Sequence, residues 1–296
     1  MSEVITFAIP YYENEAYLKK AVQSVLNQTA TDWSLIISLD NALSDSFLSY
    51  IESLSDNRIS IVYNFRSGIA GNWQNCINES VTEYTTILHS DDELKPNYIS
   101  IMNELIKNHP RASLYFCDAA IIDENSNDKF SFIDFMKQVI RPKEKLYKLE
   151  GDDGLSSLLD GCYIFCPTIC YKTDVIKKEP FSDKWFMVLD FELYARLLFK
   201  KHRFVGTKKI AYKYRRHNSN QTAKLTKDLK RFREEIKLYN KISNCSHQMN
   251  WKKSQETASN KFIIKKHIYY LAIMALLKFD IRRVYDLVKF RLSEFN

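Results

Sequence analysis

The sequence predicts an α/β fold: a mostly parallel sheet flanked by helices on both faces and followed by a basic helical region. First, short apolar runs rich in β-branched residues alternate with segments of helical periodicity through the first 125 residues, as in strands joined by crossover helices. Second, residues 1–100 contain 13 acidic and 5 basic side chains, whereas the remaining residues contain 23 acidic and 38 basic ones. Third, the chain from residue 225 onward has amphipathic helical periodicity.

Five strands and four helices are predicted in the first part of the chain. Residues 4–9 and 35–39 read VITFAI and LIISL, and such short apolar runs indicate buried strands. Residues 15–28 carry apolar side chains every three or four positions, which is the spacing of one helix face. Residues 96–108 form a helix with Pro96 in its first turn. The same criteria predict strands at residues 58–63, 85–88 and 113–117 and helices at residues 45–54 and 72–80.

The alternation weakens after residue 123. Residues 124–129 read ENSNDK, which indicates a surface loop, and residues 130–180 mix short apolar pieces with three glycines. Beyond this stretch we predict a helix at residues 193–200, a strand at residues 203–214 and amphipathic helices at residues 225–242 and 281–292.

Several kinds of protein are excluded or disfavoured. The first glycine is Gly68, so the sequence has neither a dinucleotide-binding GxGxxG nor a P-loop. The N-terminus does not read as a secretory signal, and the longest uncharged apolar run near the C-terminus, residues 268–277, is half of the roughly 20 residues that a membrane span needs. We expect a cytoplasmic protein with six free cysteines, because their spacing forms no paired CxxC units.

Carboxylates at the ends of two predicted strands are the most informative chemical feature. Asp40 ends the second strand, and Asp91 and Asp92 follow the fourth. Because the carboxyl ends of parallel strands open at one sheet edge, all three can converge on one ligand. Mg²⁺ or Mn²⁺ bound there could bridge carboxylates to a diphosphate and offset its charge. Each aspartate alone could equally be a turn former or a helix N-cap.

Four segments in order resemble the motifs of family 2 glycosyltransferases with the GT-A fold. They are AIPYYENEAYL near the start, LDNALSD after the second strand, HSDDEL after the fourth, and LDFELYARLL near residue 190. The resemblance covers residues 3–222 and implies an inverting, metal-dependent enzyme of the bacterial surface-polysaccharide type. It implies a GT-A domain at residues 1–222, with a nucleotide-sugar-binding half (1–123) and an acceptor half (124–222), followed by a helical region at 223–296.

The resemblance also implies roles for individual residues. Tyr12 and Pro10 would pack against the nucleotide base, and Asp40 would accept a hydrogen bond from it. Asn64 and Asn72 would contact the donor. Asp91 would lie near the donor ribose and sugar in a motif similar to DxD.

The metal and catalytic residues are implied in the same way. Asp92 would be a metal ligand, and His217 would lie near the metal, Mn²⁺ or Mg²⁺, and the diphosphate. Asp190 would be the general base, in an apolar context that would raise its pKa, although it could also cap the following helix. His89 stands where an acidic residue is usual, so metal binding would rest mainly on Asp92.

Two basic features leave alternatives open. Arg215 and Arg216 could offset diphosphate charge or could be a solvated pair. Residues 197–296 contain 25 basic and 7 acidic side chains, which suits helices that pack on the catalytic domain, a homodimer, or peripheral contact of residues 225–296 with the inner face of the cell membrane. Nucleic-acid binding is the least favoured alternative, because no docking motif for it is present.

The resemblance implies an enzyme that moves a hexosyl or N-acetylhexosaminyl group from a nucleotide-sugar, with UDP as the expected nucleotide. The acceptor would be a glycan or lipid-linked glycan in surface polysaccharide biosynthesis. A sugar-phosphate nucleotidyltransferase would also use strand-end carboxylates, although it normally has a glycine-bearing nucleotide loop after its first strand. A non-catalytic binding protein would keep the sheet and lose the base.

Overall fold

The computed structural model describes residues 5–130, 143–216, 226 and 228–295. Within these residues, nine strands form one sheet. The strands, in chain order, are β1 (Ile5–Tyr11), β2 (Trp33–Leu39), β3 (Ile59–Tyr63), β4 (Tyr84–Ile87), β5 (Glu93–Leu94), β6 (Leu114–Ile122), β7 (Leu146–Leu149), β8 (Ile169–Lys172) and β9 (Phe204–Arg215).

The helices of the described residues follow the strands in the expected alternation and then continue alone. In chain order they are α1 (Glu15–Leu26), α2 (Asp45–Ser53), α3 (Ile69–Glu79), α4 (Tyr98–Asn108), α5 (Gly151–Leu159), α6 (Thr173–Lys178), α7 (Leu189–Phe199), α8 (Lys230–Gln248), α9 (Lys252–Asn260), α10 (Phe262–Leu277) and α11 (Ile281–Glu294). None of the described helices is both long and apolar enough to cross a membrane.

The first half of the sheet is parallel, as predicted. β1 lies between β2 and β4, and β3 lies beyond β2 at the edge of the sheet. The carboxyl ends of these four strands therefore open on one side, where the segments that follow them meet.

The second half of the sheet is mixed, which the alternating pattern does not predict. β8 lies between β4 and β6 and is antiparallel to both. β6 and β9 are parallel, whereas the short strands β5 and β7 both run antiparallel to β9. β5, β7 and β8 are missing from the predicted strands, because each has four residues or fewer and lies outside the regular strand–helix alternation that marks the equally short β4.

Alternate side chains of the central strands build a core on each face of the sheet. Ile5, Phe7 and Ile9 of β1 pack on one face with apolar residues of α1 and α4, whereas Ala8 faces the other side with Cys76 of α3. This period-2 alternation is the reason why the sheet needs helices on both faces. The predicted arrangement of helices is thus confirmed.

The C-terminal helices share a core with the second half of the sheet. Phe232 and Tyr239 of α8, Ile268 of α10 and Leu287 of α11 are buried in the same cluster as Phe191 of α7. These helices therefore pack on the rest of the protein. The predicted division at residues 222 and 223 stays a prediction.

The predicted bounds differ from the structure mainly at helix ends. Pro96 lies before α4 and outside its first turn, because Asn97 is the N-cap and the helix begins at Tyr98. Cys162, Cys166 and Cys170 do not share a helix face, since they lie in a loop, in a single 3₁₀ turn at Cys166–Thr168 and in β8. All six cysteines are free thiols, as predicted.

Candidate functional site

Asp40 lies at the carboxyl end of β2, where it is held by its neighbours on both sides. Its backbone N–H donates to the carbonyl of Tyr11 over 3.0 Å, and its carboxylate accepts a hydrogen bond from the side-chain amide of Asn64. Asn64 is fixed in turn, because its backbone N–H donates to Leu39 O over 2.9 Å. The structure therefore brings two of the predicted donor-binding residues into direct contact.

Tyr12 follows β1 and presents its ring to solvent, with 58% of the residue exposed. Its backbone carbonyl accepts a 2.6 Å hydrogen bond from the side-chain amide of Asn41, which ties the segment after β1 to the segment after β2. Pro10 is partly buried inside β1, opposite Ser38 of β2. Tyr12 is thus positioned at the same edge as Asp40, with an open aromatic face.

Asn72 of α3 is buried against the ends of β1 and β2, and its predicted contact with the donor stays a prediction. It is 2% exposed, and its amide nitrogen donates to Tyr11 O over 3.3 Å and to Ser38 O over 3.2 Å. The Asn72 amide therefore ties the ends of β1 and β2 together. Its buried Oδ1 has no hydrogen-bond partner among the described residues.

Gly71, next to Asn72, lets the segment after β3 pack tightly onto α3. A Cβ atom at this position would lie 1.7 Å from the carbonyl oxygen of Arg66, and that oxygen accepts a hydrogen bond from Asn64 Nδ2 over 2.7 Å. A side chain at residue 71 would displace the segment that holds Asn64 against Asp40.

We expect Gly71→Ala to lower the free energy of unfolding by about 1–3 kcal/mol, because the backbone of Arg66 must move to admit the methyl group. Urea denaturation measures this change. In an unstrained helix the same substitution would stabilise the protein by roughly 0.5–1 kcal/mol, so a stability gain would show that the segment is not in close contact.

A group of three potential metal ligands lies in the turn between β4 and β5. One side-chain donor atom from each of His89, Asp91 and Asp92 lies within 4.8 Å of the others. His89 and Asp91 are partly exposed, whereas Asp92 is 1% exposed. The group therefore has an open side and a buried side.

Asp92 forms the buried side and is held by strand β9. Its Oδ1 accepts the backbone N–H of Arg215 over 2.7 Å, and its Oδ2 accepts the hydroxyl of Tyr212 over 3.1 Å. Burial, followed by the nearby charge of Asp91, raises the pKa of Asp92 well above its usual value. Positive charge beside the two carboxylates would counter this effect and favour the ionised form.

His89 completes the group with a neutral ring. Burial lowers the pKa of His89, so its imidazole is uncharged at neutral pH and can offer a lone pair. Its Nε2 atom is buried and has no hydrogen-bond partner within the described ranges. The ring nitrogen that faces the carboxylates is Nδ1, which lies 3.8 Å from Asp92 Oδ2, and an imidazole nitrogen beside two carboxylates is a donor set that fits a divalent cation. The resemblance to the family motif marks this histidine as a departure, since an acidic residue is usual at its position.

Arg215 has an organising role that its sequence context does not predict. It is 1% exposed, its Nε donates to Asp91 O over 2.7 Å, and its terminal nitrogens bond Glu93 and the backbone of Asp123. The guanidinium group thus fixes the turn that carries the carboxylates. The alternative that Arg215 is a solvated side chain is wrong, because the residue is buried, whereas its proposed effect on diphosphate charge stays a prediction. Arg216, by contrast, is partly exposed, with its guanidinium 4.9 Å from the ring centre of Tyr214.

Aromatic contacts connect the metal-ligand group to the segment before α7. The ring of Trp73 lies 5.3 Å from that of His89 and 5.3 Å from that of Phe181, measured between ring centres. An ion pair between Arg66 and Asp183 also joins this segment to the one that follows β3. The segment before α7 is therefore tied to the ring that packs on His89 and to the segment that follows β3.

Asp190 lies in the first turn of α7 and is partly exposed. The N-cap of the helix is Val188, so Asp190 lies inside the helix and does not cap it. Its Oδ1 accepts the N–H of Phe191 over 2.8 Å. Burial, followed by the neighbouring charge of Asp190, raises the pKa of the Cys166 thiol, which shows that the carboxylate and this thiol are close.

Helix α8 holds the segment that leads into α7. Oε2 of Glu234 accepts the backbone N–H groups of Phe186 over 3.1 Å and Met187 over 2.8 Å. In the first turn of α7, the buried Glu192 pairs with Lys241 over 2.8 Å. The C-terminal region therefore fixes the position of the helix that carries Asp190. The sequence gives no signal for this contact, since Glu234 lies in an ordinary run of charged residues.

His217 falls outside the described residues, so its predicted place near the metal is not addressed by the structure. The remaining predicted residues lie either at the carboxyl edge of the parallel strands or at the start of α7.

Comparison with known proteins adds to this geometry. The model of the family described as "Glycosyl transferase family 2" matches residues 6–171, which is more than half of the chain. An uncharacterised glycosyltransferase from Methanocaldococcus jannaschii is 24% identical over 89% of this chain and 84% of its own length. The Escherichia coli protein WfgD, named a UDP-Glc:alpha-D-GlcNAc-diphosphoundecaprenol beta-1,3-glucosyltransferase, is 24% identical over 77% of this chain and 83% of its own.

A solved structure supports the fold. The S. aureus TarS fragment 1–349 superposes with a TM-score of 0.63 at 11% identity, covering 87% of this chain and 71% of that one. Sheet order, strand-end carboxylates and the family match agree with one another, and the chain belongs to glycosyl transferase family 2 and is a glycosyltransferase with the GT-A fold.

Proposed function

We propose that this glycosyltransferase is a metal-dependent, inverting enzyme that takes a sugar from a nucleoside diphosphate sugar, with UDP as the expected nucleotide. The observation that carries this proposal is the placement of His89, Asp91 and Asp92 at the same sheet edge as Asp40 and Tyr12. A diphosphate between these two groups of residues would have its nucleoside end near β1 and β2 and its sugar end near β4.

The base of the donor would occupy the edge near β1 and β2. The exposed ring of Tyr12 offers a stacking surface, and the Asp40 carboxylate is an acceptor for a base N–H. The Asn64 amide holds Asp40 in place, which would reduce the entropy lost on binding. We assign Asn72 to a positioning role, because its amide nitrogen is already bonded to the backbone of Tyr11 and Ser38.

Asp91 and His89 are the residues that we propose as the accessible ligands of Mn²⁺ or Mg²⁺, with Asp92 positioned behind them. This assignment differs from the sequence-based one, because both Asp92 oxygens already accept hydrogen bonds. When bound, the cation would offset charge on the departing diphosphate. His217 stays a candidate for an additional ligand.

Asp190 is the residue that we propose as the general base. In an inverting transfer the acceptor hydroxyl attacks the anomeric carbon on the face opposite the leaving group. As the new C–O bond forms, Asp190 takes the hydroxyl proton, and the bond from the anomeric carbon to the diphosphate breaks with its electron pair going to the diphosphate. This needs the carboxylate within about 3 Å of the hydroxyl.

The acceptor that we propose is a glycan or a lipid-linked glycan used in surface polysaccharide assembly. A similar protein of comparable length is named for a diphosphoundecaprenol-linked acceptor, which supports a lipid-linked substrate for this chain. To reach such a substrate, the enzyme would act at the inner face of the cell membrane, and we propose peripheral membrane contact through residues 225–296. A homodimer through the same region is the alternative.

A nucleotide-sugar panel tests the proposed function. Slow hydrolysis of each donor would be followed by release of the nucleoside diphosphate, with and without Mn²⁺, and binding of UDP and GDP would be followed by calorimetry. We expect metal-dependent binding of one nucleoside diphosphate and hydrolysis of its sugar conjugate. If none binds in the presence of Mn²⁺ or Mg²⁺, the proposal is wrong. Release of pyrophosphate would indicate a nucleotidyltransferase.

We expect Glu234→Ala to reduce transfer about tenfold and to leave donor binding unchanged. The substitution removes the acceptor for two backbone N–H groups before α7. We expect this to raise the activation free energy of transfer by about 1.4 kcal/mol, which corresponds to a factor of ten in rate. Steady-state kinetics with donor and acceptor varied separately would measure it.

Glu235→Ala is the matched control, because the Glu235 carboxylate bonds Arg231 within the same helix. Equal losses in the two variants would show that the effect belongs to α8 as a whole and not to the loop that Glu234 holds.

A further inference from the structure

The largest group of exposed apolar side chains lies on the last two helices, α10 and α11. Among the described residues, 18 large hydrophobic side chains are exposed, and ten of these fall between Phe262 and Leu292. Scattered exposed apolar residues are ordinary, whereas a concentration of this kind marks an interaction surface.

Three of the four most exposed members of the group surround the turn between α10 and α11. Leu277 is 67% exposed, Phe279 is 88% exposed and Ile281 is 63% exposed. We call residues 276–281 the hairpin tip. It is a defined turn, because the N–H of Phe279 donates to Leu276 O over 2.9 Å and the N–H of Asp280 donates to Ala275 O over 3.0 Å.

The exposed side chains continue along one side of each helix. Tyr269 and Ile273 are exposed on α10, and Tyr285 and Val288 on α11, at spacings of three or four residues that correspond to one helix face. The opposite faces are buried against the protein, through Ile264, Ile268, Ala275, Leu287 and Phe290. Helix α10 therefore has apolar residues on both its buried and its exposed face.

Charge distinguishes between the partners that could cover this surface. Residues 261–294 contain eight basic and three acidic side chains. Lys278 lies within the hairpin tip and Arg282 directly follows it, and both residues are exposed. A second copy of the chain would bring these cations against one another. An anionic lipid surface would accept the apolar side chains among its acyl chains and the cations among its headgroups.

We propose that the hairpin tip inserts into an anionic membrane surface, with Phe279 and Ile281 entering the lipid and Lys278 and Arg282 contacting headgroups. The proposal deepens the membrane contact named above and rests on the proposed lipid-linked acceptor for its purpose. The tip thereby becomes the docking element of residues 225–296.

Flotation with vesicles tests the proposal. The full chain would be mixed with vesicles of phosphatidylcholine alone or with 30% phosphatidylglycerol. We expect binding to the anionic vesicles, and a reduction in the partition coefficient of at least about a hundredfold for the double variant F279N/I281E. Asn tolerates the positive φ of 58° at residue 279, and Glu is favourable in the first turn of α11. For K278E/R282E we expect a loss of about fivefold for each cation, seen only with anionic lipid.

Val81→Glu is the matched control, because Val81 is 91% exposed outside the C-terminal helices and should bind vesicles like the unchanged protein. If the F279N/I281E variant bound anionic vesicles as well as the unchanged protein does, the proposal would be overturned. So would a dimer in sedimentation equilibrium that the same variant dissociates, since the surface would then be an interface between copies. Donor hydrolysis in solution should be unchanged in all variants. Vesicle binding without any donor hydrolysis would refute the proposed function and leave the docking element standing.

Discussion

Asp91→Asn should abolish metal-dependent donor binding and lower donor turnover by about a hundredfold to a thousandfold. The substitution keeps the size of the side chain and replaces a charged oxygen with an amide on the open side of the metal-ligand group. Loss of one preorganised charge contact at a developing anion has costs of this size. Calorimetric titration of the nucleoside diphosphate with and without Mn²⁺ measures the binding, and donor hydrolysis measures the turnover.

Asp92→Ala should differ from Asp91→Asn in stability. Removal of the Asp92 carboxylate leaves the backbone N–H of Arg215 and the hydroxyl of Tyr212 without their acceptor in a site that is 1% exposed. Each buried unsatisfied group costs about 1–3 kcal/mol, so we expect a loss of roughly 2–5 kcal/mol in the free energy of unfolding, measured in urea. Asp91→Asn should change the same quantity by less than about 1 kcal/mol.

The opposite outcome would make Asp92 the metal ligand in place of Asp91. Retained metal-dependent binding in Asp91→Asn, together with its loss in a stably folded Asp92→Asn variant, would restore the assignment made from sequence. Asp92→Asn is the informative variant here, because Asn keeps one oxygen for the Arg215 N–H and so separates metal binding from folding.

The difference between Asp91 and Asp92 illustrates what the sequence could not predict about the site. Adjacent carboxylates after a strand are visible in the sequence, and their convergence with Asp40 follows from parallel pairing of β1, β2 and β4. Their unequal burial depends on Tyr212 and Arg215, which lie more than 100 residues away in the chain. Sequence reasoning has no access to such contacts.

The same distinction holds for the fold. Most elements of the first 125 residues and the long helices α8 and α11 were predictable from their periodicity or from their place in the strand–helix alternation, whereas the two-residue strand β5 was not. The place of β8 between β4 and β6 depends on tertiary pairing, since four residues carry no directional signal. Likewise, the contact of Glu234 with the segment before α7 arises from packing of helices far apart in sequence.

Asp190→Asn should lower the rate of transfer by about a hundredfold to ten-thousandfold, which is the usual contribution of a general base, and should leave donor binding within about twofold of the unchanged protein. Asn keeps an oxygen that can accept the Phe191 N–H, so the start of α7 should be preserved while the proton acceptor is lost. Initial rates with saturating donor and acceptor measure transfer, and calorimetry of the nucleoside diphosphate measures binding.

Asp183→Asn is the matched control, because Asp183 is an exposed carboxylate in the segment before the same helix. It pairs with Arg66 in the segment that follows β3. Exposed ion pairs contribute little, about 0–1 kcal/mol, so its transfer rate should fall by less than about fivefold. If Asp190→Asn lost donor binding in parallel with transfer, Asp190 would be holding the donor, and the base would have to be sought elsewhere in the site. If transfer fell while binding and slow donor hydrolysis both persisted, the loss would lie in activation of the acceptor hydroxyl, as the position of Asp190 at the start of α7 leads us to expect.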